Sequence, residues 1–103
     1  MSALTDACFD ASRREPEAAY RAIGLTEPLA RCENVSFYRC PLNPEHTWEF
    51  QVWTAGPGKG AWECVPCERK GDILSLWVAR HGGSTEAAAQ AVHALLTEAH
   101  LTC

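Results

Sequence analysis

The sequence contains no long apolar run, and this absence narrows what the chain can be. Its longest apolar stretch, ILSLWVA at 73–79, is far shorter than the ~20 residues that a membrane-spanning helix needs. The first residues, MSALTDACFDASRREPE, lack the basic start and the apolar segment of a secretory signal peptide. We therefore expect a cytoplasmic protein with no membrane partner.

Basic side chains are also too few to make a strongly charged patch. The chain has 9 lysines and arginines against 13 acidic residues, a formal net charge of −4. Within residues 35–83 the two signs cancel, with five side chains of each. Lysine and arginine contacts to phosphate supply most of the non-specific affinity for nucleic acid. Charge alone therefore does not favour a nucleic-acid partner, and it leaves a protein partner open.

Cysteine is abundant in this sequence, with six among 103 residues. In a reducing compartment that number argues against a disulfide framework and favours metal ligation or plain burial. Cys64 and Cys67 in AWECVPCERKGD have the C-x2-C spacing that lets one turn offer two thiolates to a metal ion. Cys8 is predicted to be a small buried side chain, and Cys103 a loose terminal thiol.

The first third of the chain has the pattern of two helical pieces. The first piece can begin at Thr5 or Asp6, and the second at Pro16, which suits a first helical turn. Gly24 stands where the second helix would end, and a turn around TEPLAR follows. We therefore predict a helical arm over residues 1–34.

Residues 35–65 show the alternation that is typical of β-strands. VSFYRC is β-branched and aromatic, and TWEFQVWT places Trp48 and Phe50 on one face and Trp53 on the other. AGPGKG is a turn signal, so AWECV is predicted as the returning strand of a hairpin. Trp48, Phe50 and Trp62 are expected in the core.

Helical periodicity returns after the two cysteines. Asp72 is a natural N-cap for ILSLWVAR, Gly82 supplies a stop, and Ser84 or Thr85 caps a second helix. The apolar stripe of this last helix is expected to pack onto the sheet. An α+β fold follows, with a small antiparallel sheet and hairpin between N-terminal and C-terminal helices.

A second loop can supply the remaining ligands of a tetrahedral site. CPLNPEH offers Cys40 and His46 with five residues between them, and 17 residues separate His46 from Cys64. A hairpin of that length returns the chain to its origin, so both loops should meet at one end of the sheet. We predict a zinc-ribbon domain over residues 35–103, with Zn2+ held by Cys40, His46, Cys64 and Cys67.

Such a four-ligand set leaves no coordination position for water. The metal is therefore expected to be structural, and the chain is not expected to be an enzyme. Three alternatives stay open at this point. The C-x2-C pair could be a redox dithiol, which would require it to open a helix after a parallel strand. Cys32 could replace one of the ligands, or the four residues could simply be buried.

These residues together resemble a known family, the CHC2-type zinc-binding domain found at the N-terminus of bacterial and phage DNA primases. The similarity runs from about Val35 to Leu96. In that family a Cys-Pro opens the metal site, a histidine follows, and an aromatic-bearing hairpin leads to C-x2-C. A Gly-Asp then starts a hydrophobic helix, as Gly71 and Asp72 would do here.

Two departures from the family pattern are visible. The family usually has two residues between the first cysteine and the histidine, so Asn43 occupies the usual histidine position and His46 comes three residues later. A small insertion would reconcile the two. In addition, the chain has no room for the acidic catalytic domain with which primases polymerise nucleotides, so we expect it to make no primer by itself.

The resemblance implies contact with single-stranded DNA in replication, of a phage or a mobile element. It also implies a replication partner such as a primase catalytic subunit or a helicase. The residues that could contact DNA are Trp53, Lys59, Arg69 and Lys70, unless a helix covers Trp53 or the charged residues only face water. The alternative function is a zinc-stabilised module that docks a protein partner and binds no DNA.

Overall fold

A sheet covered by helices on one face is the frame of the molecule. The computed structural model describes residues 3–43, 45–46 and 49–102, and within them it contains four helices and five antiparallel strands. The strands follow the chain order across the sheet, β1-β2-β3-β4-β5. The elements are α1 Ala3–Arg14, α2 Pro16–Ala22, β1 Ala30–Cys32, β2 Val35–Tyr38, β3 Phe50–Trp53, β4 Trp62–Cys64, β5 Arg69–Gly71, α3 Ile73–His81 and α4 Thr85–Glu98.

The predicted α+β class is confirmed, and the strand alternation explains how the sheet gains two different faces. Along β3, Phe50 and Val52 are fully buried, whereas Gln51 and Trp53 are only half-buried. The Phe50 ring stacks on Trp62 of β4, with centroids 5.4 Å apart. One face of the sheet thus joins the core, and the other stays open. Trp48, also predicted in the core, lies outside the described residues.

The segment before residue 35 shares this core. Cys8, Ala11 and Tyr20 are buried in the same cluster as the inner sheet residues. β1 also belongs to the sheet, where Cys32 pairs with Val35 of β2 across a tight turn. The 34/35 boundary predicted from sequence therefore falls inside the β1–β2 hairpin.

β1 and β5 are the two edge strands, and the sequence patterns did not indicate either of them. Each has three residues and is largely exposed, so neither carries the alternating burial that marks a strand. β5 exists because Arg69 and Lys70 pair with Cys64 and Glu63 of β4. Pairing with a neighbour, which no local pattern records, defines such short strands.

The Gly71-Asp72 pair starts α3 as predicted from the sequence. The Asp72 carboxylate accepts from the Ser75 backbone N–H at 2.8 Å, and the Ser75 hydroxyl accepts from the Asp72 N–H at 2.9 Å. A Cβ on residue 71 would collide with the Ser75 hydroxyl, so this reciprocal cap needs glycine before the aspartate. The run ILSLWVA lies in α3, and no helix in the described part of the chain is long and apolar enough to cross a membrane.

α4 begins at the predicted cap but packs differently from the prediction. Ser84 accepts from the Ala87 N–H at 3.1 Å. The apolar stripe of α4 was predicted to pack onto the sheet. Its buried side chains lie chiefly against α1 and α3 instead. The sheet is approached instead by α2 and α3. α1 and α4 pack closely, and the thiol of Cys8 on α1 lies 3.6 Å from the carbonyl oxygen of Ala89 on α4.

The turn between β3 and β4 is held against the helices at one glycine. The Tyr20 hydroxyl donates to the Gly60 carbonyl at 2.7 Å. Gly60 has φ +94°, and a Cβ there would stand 3.0 Å from the Ser12 carbonyl oxygen. The turn can approach α1 this closely only because residue 60 has no side chain.

Gly60→Ala should therefore destabilise the fold more than Gly56→Ala, its matched control. Gly56 has a similar φ of +83° but open space around it. The control should cost only the left-handed backbone strain, about 1–2 kcal/mol. Gly60→Ala should add about 1–3 kcal/mol of overpacking. Urea unfolding measures both; equal losses would contradict the close packing of the turn on α1.

An ion pair ties α2 to the sheet. Two nitrogens of Arg31 on β1 each donate to Glu17 at 2.8 Å, and the buried Ser36 hydroxyl of β2 also donates to this carboxylate. These contacts hold the pKa of Glu17 below its usual range, and the hydrogen bonds from Arg31 have the largest effect. The carboxylate therefore stabilises the fold while it is ionised.

The contribution of Glu17 to stability should depend on pH in a defined direction. A lowered folded pKa means that the contribution is complete above the unfolded value of about 4.3 and is lost as pH falls through the folded value. Glu17→Gln should thus be less stable than the parent chain at pH 7, with the gap closing towards pH 3. Urea midpoints of both proteins across this range provide the check. A gap that stays constant with pH would rule out a charged interaction.

Candidate metal centre

The first half of the centre is a closed loop after β2. Cys40 follows the strand by two residues, and its backbone N–H donates to the His46 carbonyl at 2.9 Å. Within the loop, the His46 N–H donates to the Asn43 carbonyl at 3.0 Å. These two bonds fold the five-residue spacer back on itself. The long spacing therefore still brings the histidine beside the cysteine.

The second half is the turn of the β4–β5 hairpin. Cys64 ends β4 and pairs with Arg69, the first residue of β5. Between them the Glu68 N–H donates to the Val65 carbonyl at 3.0 Å, and Glu68 takes the left-handed φ of +55°. This tight turn directs the side chains at both ends of the C-x2-C segment to one point.

The four predicted ligands meet at this end of the sheet. Their side-chain N and S atoms all lie within 4.8 Å of one another, and they form a group that could hold a metal ion. The Cys40 and Cys67 sulfurs are 3.6 Å apart. The His46 Nδ1 lies 3.3 Å from the Cys67 sulfur and 3.7 Å from the Cys64 sulfur.

These separations fit ligands around one tetrahedral ion. Zn–S bonds of about 2.3 Å and Zn–N bonds of about 2.0–2.1 Å place two sulfurs about 3.8 Å apart, and a sulfur and a nitrogen about 3.6 Å apart. The three distances given above lie within a few tenths of an ångström of these values. The donor set and these distances therefore suit a single metal ion.

Burial sets the protonation of the thiols at this centre. Cys40 and Cys64 are buried, at 2% and 0% exposed, while Cys67 and His46 are partly exposed. Burial raises the pKa of Cys64 to about 12 and also raises the pKa of Cys67. The Cys64 and Cys67 thiols thus hold their protons more firmly than free thiols, and a metal ion that takes them as thiolate ligands must displace these protons.

A thioredoxin-like dithiol does not match this arrangement. Such a pair needs a lowered thiol pKa and a position at the start of a helix. Cys64 and Cys67 instead flank an antiparallel hairpin turn, and burial raises their pKa values. The structure therefore favours ligation over redox chemistry.

Two further residues bear on the ligand assignment, and neither belongs to the four-ligand group. Cys32 is exposed on β1 and belongs to no metal-binding group among the described residues. Asn43 stands beside the centre, with its amide nitrogen 3.3 Å from the His46 Nε2 and its amide oxygen accepting from the Glu45 N–H at 3.1 Å. The amide nitrogen is a donor, so it cannot accept the Nε2–H that an imidazole bound through Nδ1 carries, and the role of Asn43 is to shape the loop through the Glu45 N–H.

The residues predicted to contact DNA fall into two groups. Trp53 and Lys70 line one groove of about 470 Å³ on the open face of the sheet. Lys59 and Arg69 are exposed but do not line it. Lys59 borders a smaller cleft beside α1, and the positive charge of Arg69 acts on the Cys67 thiol.

The groove is formed by strands and turns of the segment 53–71. Gly58, Ala61, Trp62, Glu63 and Gly71 complete its lining, so no described helix covers Trp53 there. The sequence patterns did not single out Glu63 as a candidate. Its alternation with the inward-facing Trp62 and Cys64 places it on the open face, but only the groove around it makes it a candidate.

Comparisons with known proteins add nothing to this geometry: no family model, no curated protein and no solved structure matches the chain.

The ligand assignment predicts how single variants bind metal. The parent chain should bind one Zn2+ per molecule, and Cys32→Ser should match it because Cys32 lies outside the centre. His46→Ala removes a ligand and should lose tight binding. Asn43→Ala loses only the loop hydrogen bond to the Glu45 N–H, so it should keep both the stoichiometry and tight binding. Elemental analysis and chelator competition measure these quantities.

The pattern across the three variants decides the assignment. Full zinc affinity in His46→Ala would show that another group is the fourth ligand. If Cys32→Ser lost the metal, the geometry of the described centre would be wrong.

Proposed function

We propose that the chain is a zinc-binding domain in which a structural Zn2+ is held by Cys40, His46, Cys64 and Cys67. The observation that supports this is the convergence of four N and S donors within 4.8 Å. Three thiolates and an imidazole are the donors that structural zinc sites use. Four protein ligands leave no open position, so the ion supplies cross-linking and no catalysis.

The ion would join two segments that only the sheet otherwise connects. Cys40 and His46 belong to the β2–β3 connection, while Cys64 and Cys67 belong to the β4–β5 turn. In a domain of this size the core alone gives limited stability. Metal binding would therefore contribute directly to the free energy of folding.

We further propose that the domain binds single-stranded DNA on the open face of the sheet. This proposal is carried by the placement of Trp53 and Lys70 in one groove. An indole can stack on an unpaired base, and a neighbouring ammonium attracts phosphate. The ring of Trp53 packs against Gly58. A Cβ added at residue 58 would stand 3.5 Å from the indole. The turn thus helps to hold the ring in place.

The rest of the open face offers a path for a strand of DNA beyond the groove. Val35 of β2 pairs with Trp53, and Phe37 pairs with Gln51. Both apolar residues are half-buried on the face away from the core. A second aromatic ring thus lies on the neighbouring strand, as a second platform for a base.

A role in replication rests on the resemblance to the zinc-binding domains of DNA primases. On this reading the chain acts in the cytoplasm of a host cell, for a phage or a mobile element. It contacts a template strand and leaves synthesis to a separate primase catalytic subunit or to a complex with a helicase.

A second candidate function, docking of a protein partner, is favoured by the charge. The whole chain carries −4, and Glu63 brings a carboxylate into the tryptophan-lined groove. A lysine or arginine side chain of a partner could lie against Trp53 and pair with Glu63. In this case DNA would not bind.

Trp53→Ala should weaken binding of fluorescein-labelled single-stranded DNA by about 5- to 150-fold, the loss of one stacked base at ~1–3 kcal/mol. Lys70→Ala should weaken binding less, and Lys59→Ala, outside the groove, should leave it unchanged. Trp77→Ala is the matched control, because Trp77 lies on α3 and contacts His81. Fluorescence anisotropy at low salt measures all four, with zinc-loaded protein.

Two outcomes would overturn the DNA proposal. The first is no binding by the zinc-loaded parent chain even at low salt. The second is equal loss in Trp53→Ala and Trp77→Ala, which would place the DNA elsewhere. Binding of a lysine-rich peptide without any DNA binding would establish the protein-docking function instead.

A further inference from the structure

We infer that the groove distinguishes among bases, and that the Glu63 carboxylate reads the Watson–Crick edge of an unpaired guanine stacked on Trp53. This inference rests on the proposed DNA function and adds the class of base that the site selects. It follows from where Glu63 lies, from what it does not contact, and from the hydrogen-bonding chemistry of a carboxylate.

Glu63 lies in the middle of β4, on the open face. It pairs with Gln51 of β3 on one side and with Lys70 of β5 on the other. Trp53 is two residues along β3 from Gln51, so Glu63 and Trp53 are diagonal neighbours on one face. A base that stacks on the indole can therefore turn its edge towards the carboxylate.

Small residues leave the room that a base needs. Ala61 stands next to Trp53, joined by a backbone bond of 2.9 Å from the Trp53 N–H to the Ala61 carbonyl. Gly58 and Gly71 supply two more positions of the lining without a side chain. No large side chain of the lining therefore fills the space between Trp53 and Glu63, and the cavity of about 470 Å³ is large enough for a base.

The carboxylate is available to a ligand. Three other carboxylates, those of Asp10, Glu17 and Glu27, accept from arginines at 2.8 Å. Glu63 is half-buried in the groove, yet its carboxylate makes no hydrogen bond or ion pair with any residue that the structure describes. The ammonium of Lys70 is equally unpaired within the described residues, although it occupies the neighbouring register position. Both charged groups can therefore be used by a bound molecule.

A carboxylate can only accept hydrogen bonds, and this property ranks the four bases. Guanine presents two adjacent donors, N1–H and the exocyclic N2 amino group, which match the two carboxylate oxygens. Cytosine and adenine present one amino donor each, beside an acceptor nitrogen. Thymine presents one N–H between two carbonyl oxygens, which the carboxylate repels. Charge-assisted bidentate pairs are the stronger ones, so guanine should bind best.

The same chemistry restricts the site to unpaired DNA. In a duplex the N1–H and N2 amino groups of guanine are already bonded to cytosine, and the base cannot stack on a protein ring. A groove that reads this edge therefore excludes double-stranded DNA without any steric barrier. Lys70, next to Glu63, can at the same time bond the guanine O6 or a neighbouring phosphate.

The test uses labelled 12-nucleotide thymidine strands that differ at one central position. The zinc-loaded chain should bind the strand with a central guanine about 10-fold more tightly than the all-thymidine strand, with cytosine and adenine between them. A central inosine, which lacks only the N2 amino group, should lose most of this gain. The affinities are measured by anisotropy at constant low salt.

Variants connect the preference to one side chain. Glu63→Gln replaces an acceptor by a mixed donor and acceptor, so the guanine preference should fall to about 2-fold or less while binding of the thymidine strand is kept or improved. Glu49→Gln is the matched control, because Glu49 is exposed just before β3 and outside the groove. It removes the same charge and should keep the full preference.

The outcomes separate the inference from the function on which it rests. Equal affinity for all strands, with binding still lost in Trp53→Ala, would overturn base selection by Glu63 and leave the DNA function standing. The same preference in Glu63→Gln as in the parent chain would also overturn it. No binding of any strand would overturn both, and a Glu63-dependent interaction with a lysine-rich peptide would then identify the groove as a protein-docking site.

Discussion

The antiparallel register of β2, β3 and β4 is the constraint on which the rest of the molecule depends. Tyr38 pairs with Phe50, and Phe50 pairs with Cys64, so the end of β2 and the end of β4 lie at the same end of the sheet, on either side of β3. Cys40 follows two residues after Tyr38, which brings the two ligand loops into contact. A slip of one residue between these strands would exchange their faces, point Cys64 to solvent and dismantle the four-ligand group.

The same register places the candidate metal centre and the groove on the same two strands, β4 and β5. On β4, Trp62 and Cys64 face the core while Glu63, between them, faces the groove. β5, which carries Lys70, has β4 as its strand partner and begins just after the C-x2-C turn. An ion that holds this turn therefore also holds one wall of the groove. A structural metal can in this way control ligand binding without touching the ligand.

Local chemistry could be predicted from the sequence, and contacts between distant segments could not. Asp72 as a cap and the Cys40/Cys64 loops at one sheet end follow from turn geometry, spacing and strand alternation, and the structure contains them. The packing of α4 on α1 joins residues as far apart as Cys8 and Ala89, and the edge strands β1 and β5 are defined by pairing with β2 and β4, which their own exposed side chains do not record. Glu63 was overlooked for another reason: a single acidic residue in a strand is ordinary, and only the groove around it makes it a candidate.

Electrostatics limits the kind of contact by which the proposed binding of single-stranded DNA could work. A single-stranded ligand loses affinity with salt in proportion to the phosphates that are neutralised, about 0.7 per contact on a logarithmic scale. Among the described residues, Lys70 is the one cation in the groove lining, and the chain as a whole is negative. Phosphate attraction could therefore supply little of the proposed affinity, and on this proposal the indole of Trp53 and the carboxylate of Glu63 would supply most of it. A site of this kind would gain affinity mainly where the correct base is present, which suits the proposed recognition of a position on a template better than the coating of a strand.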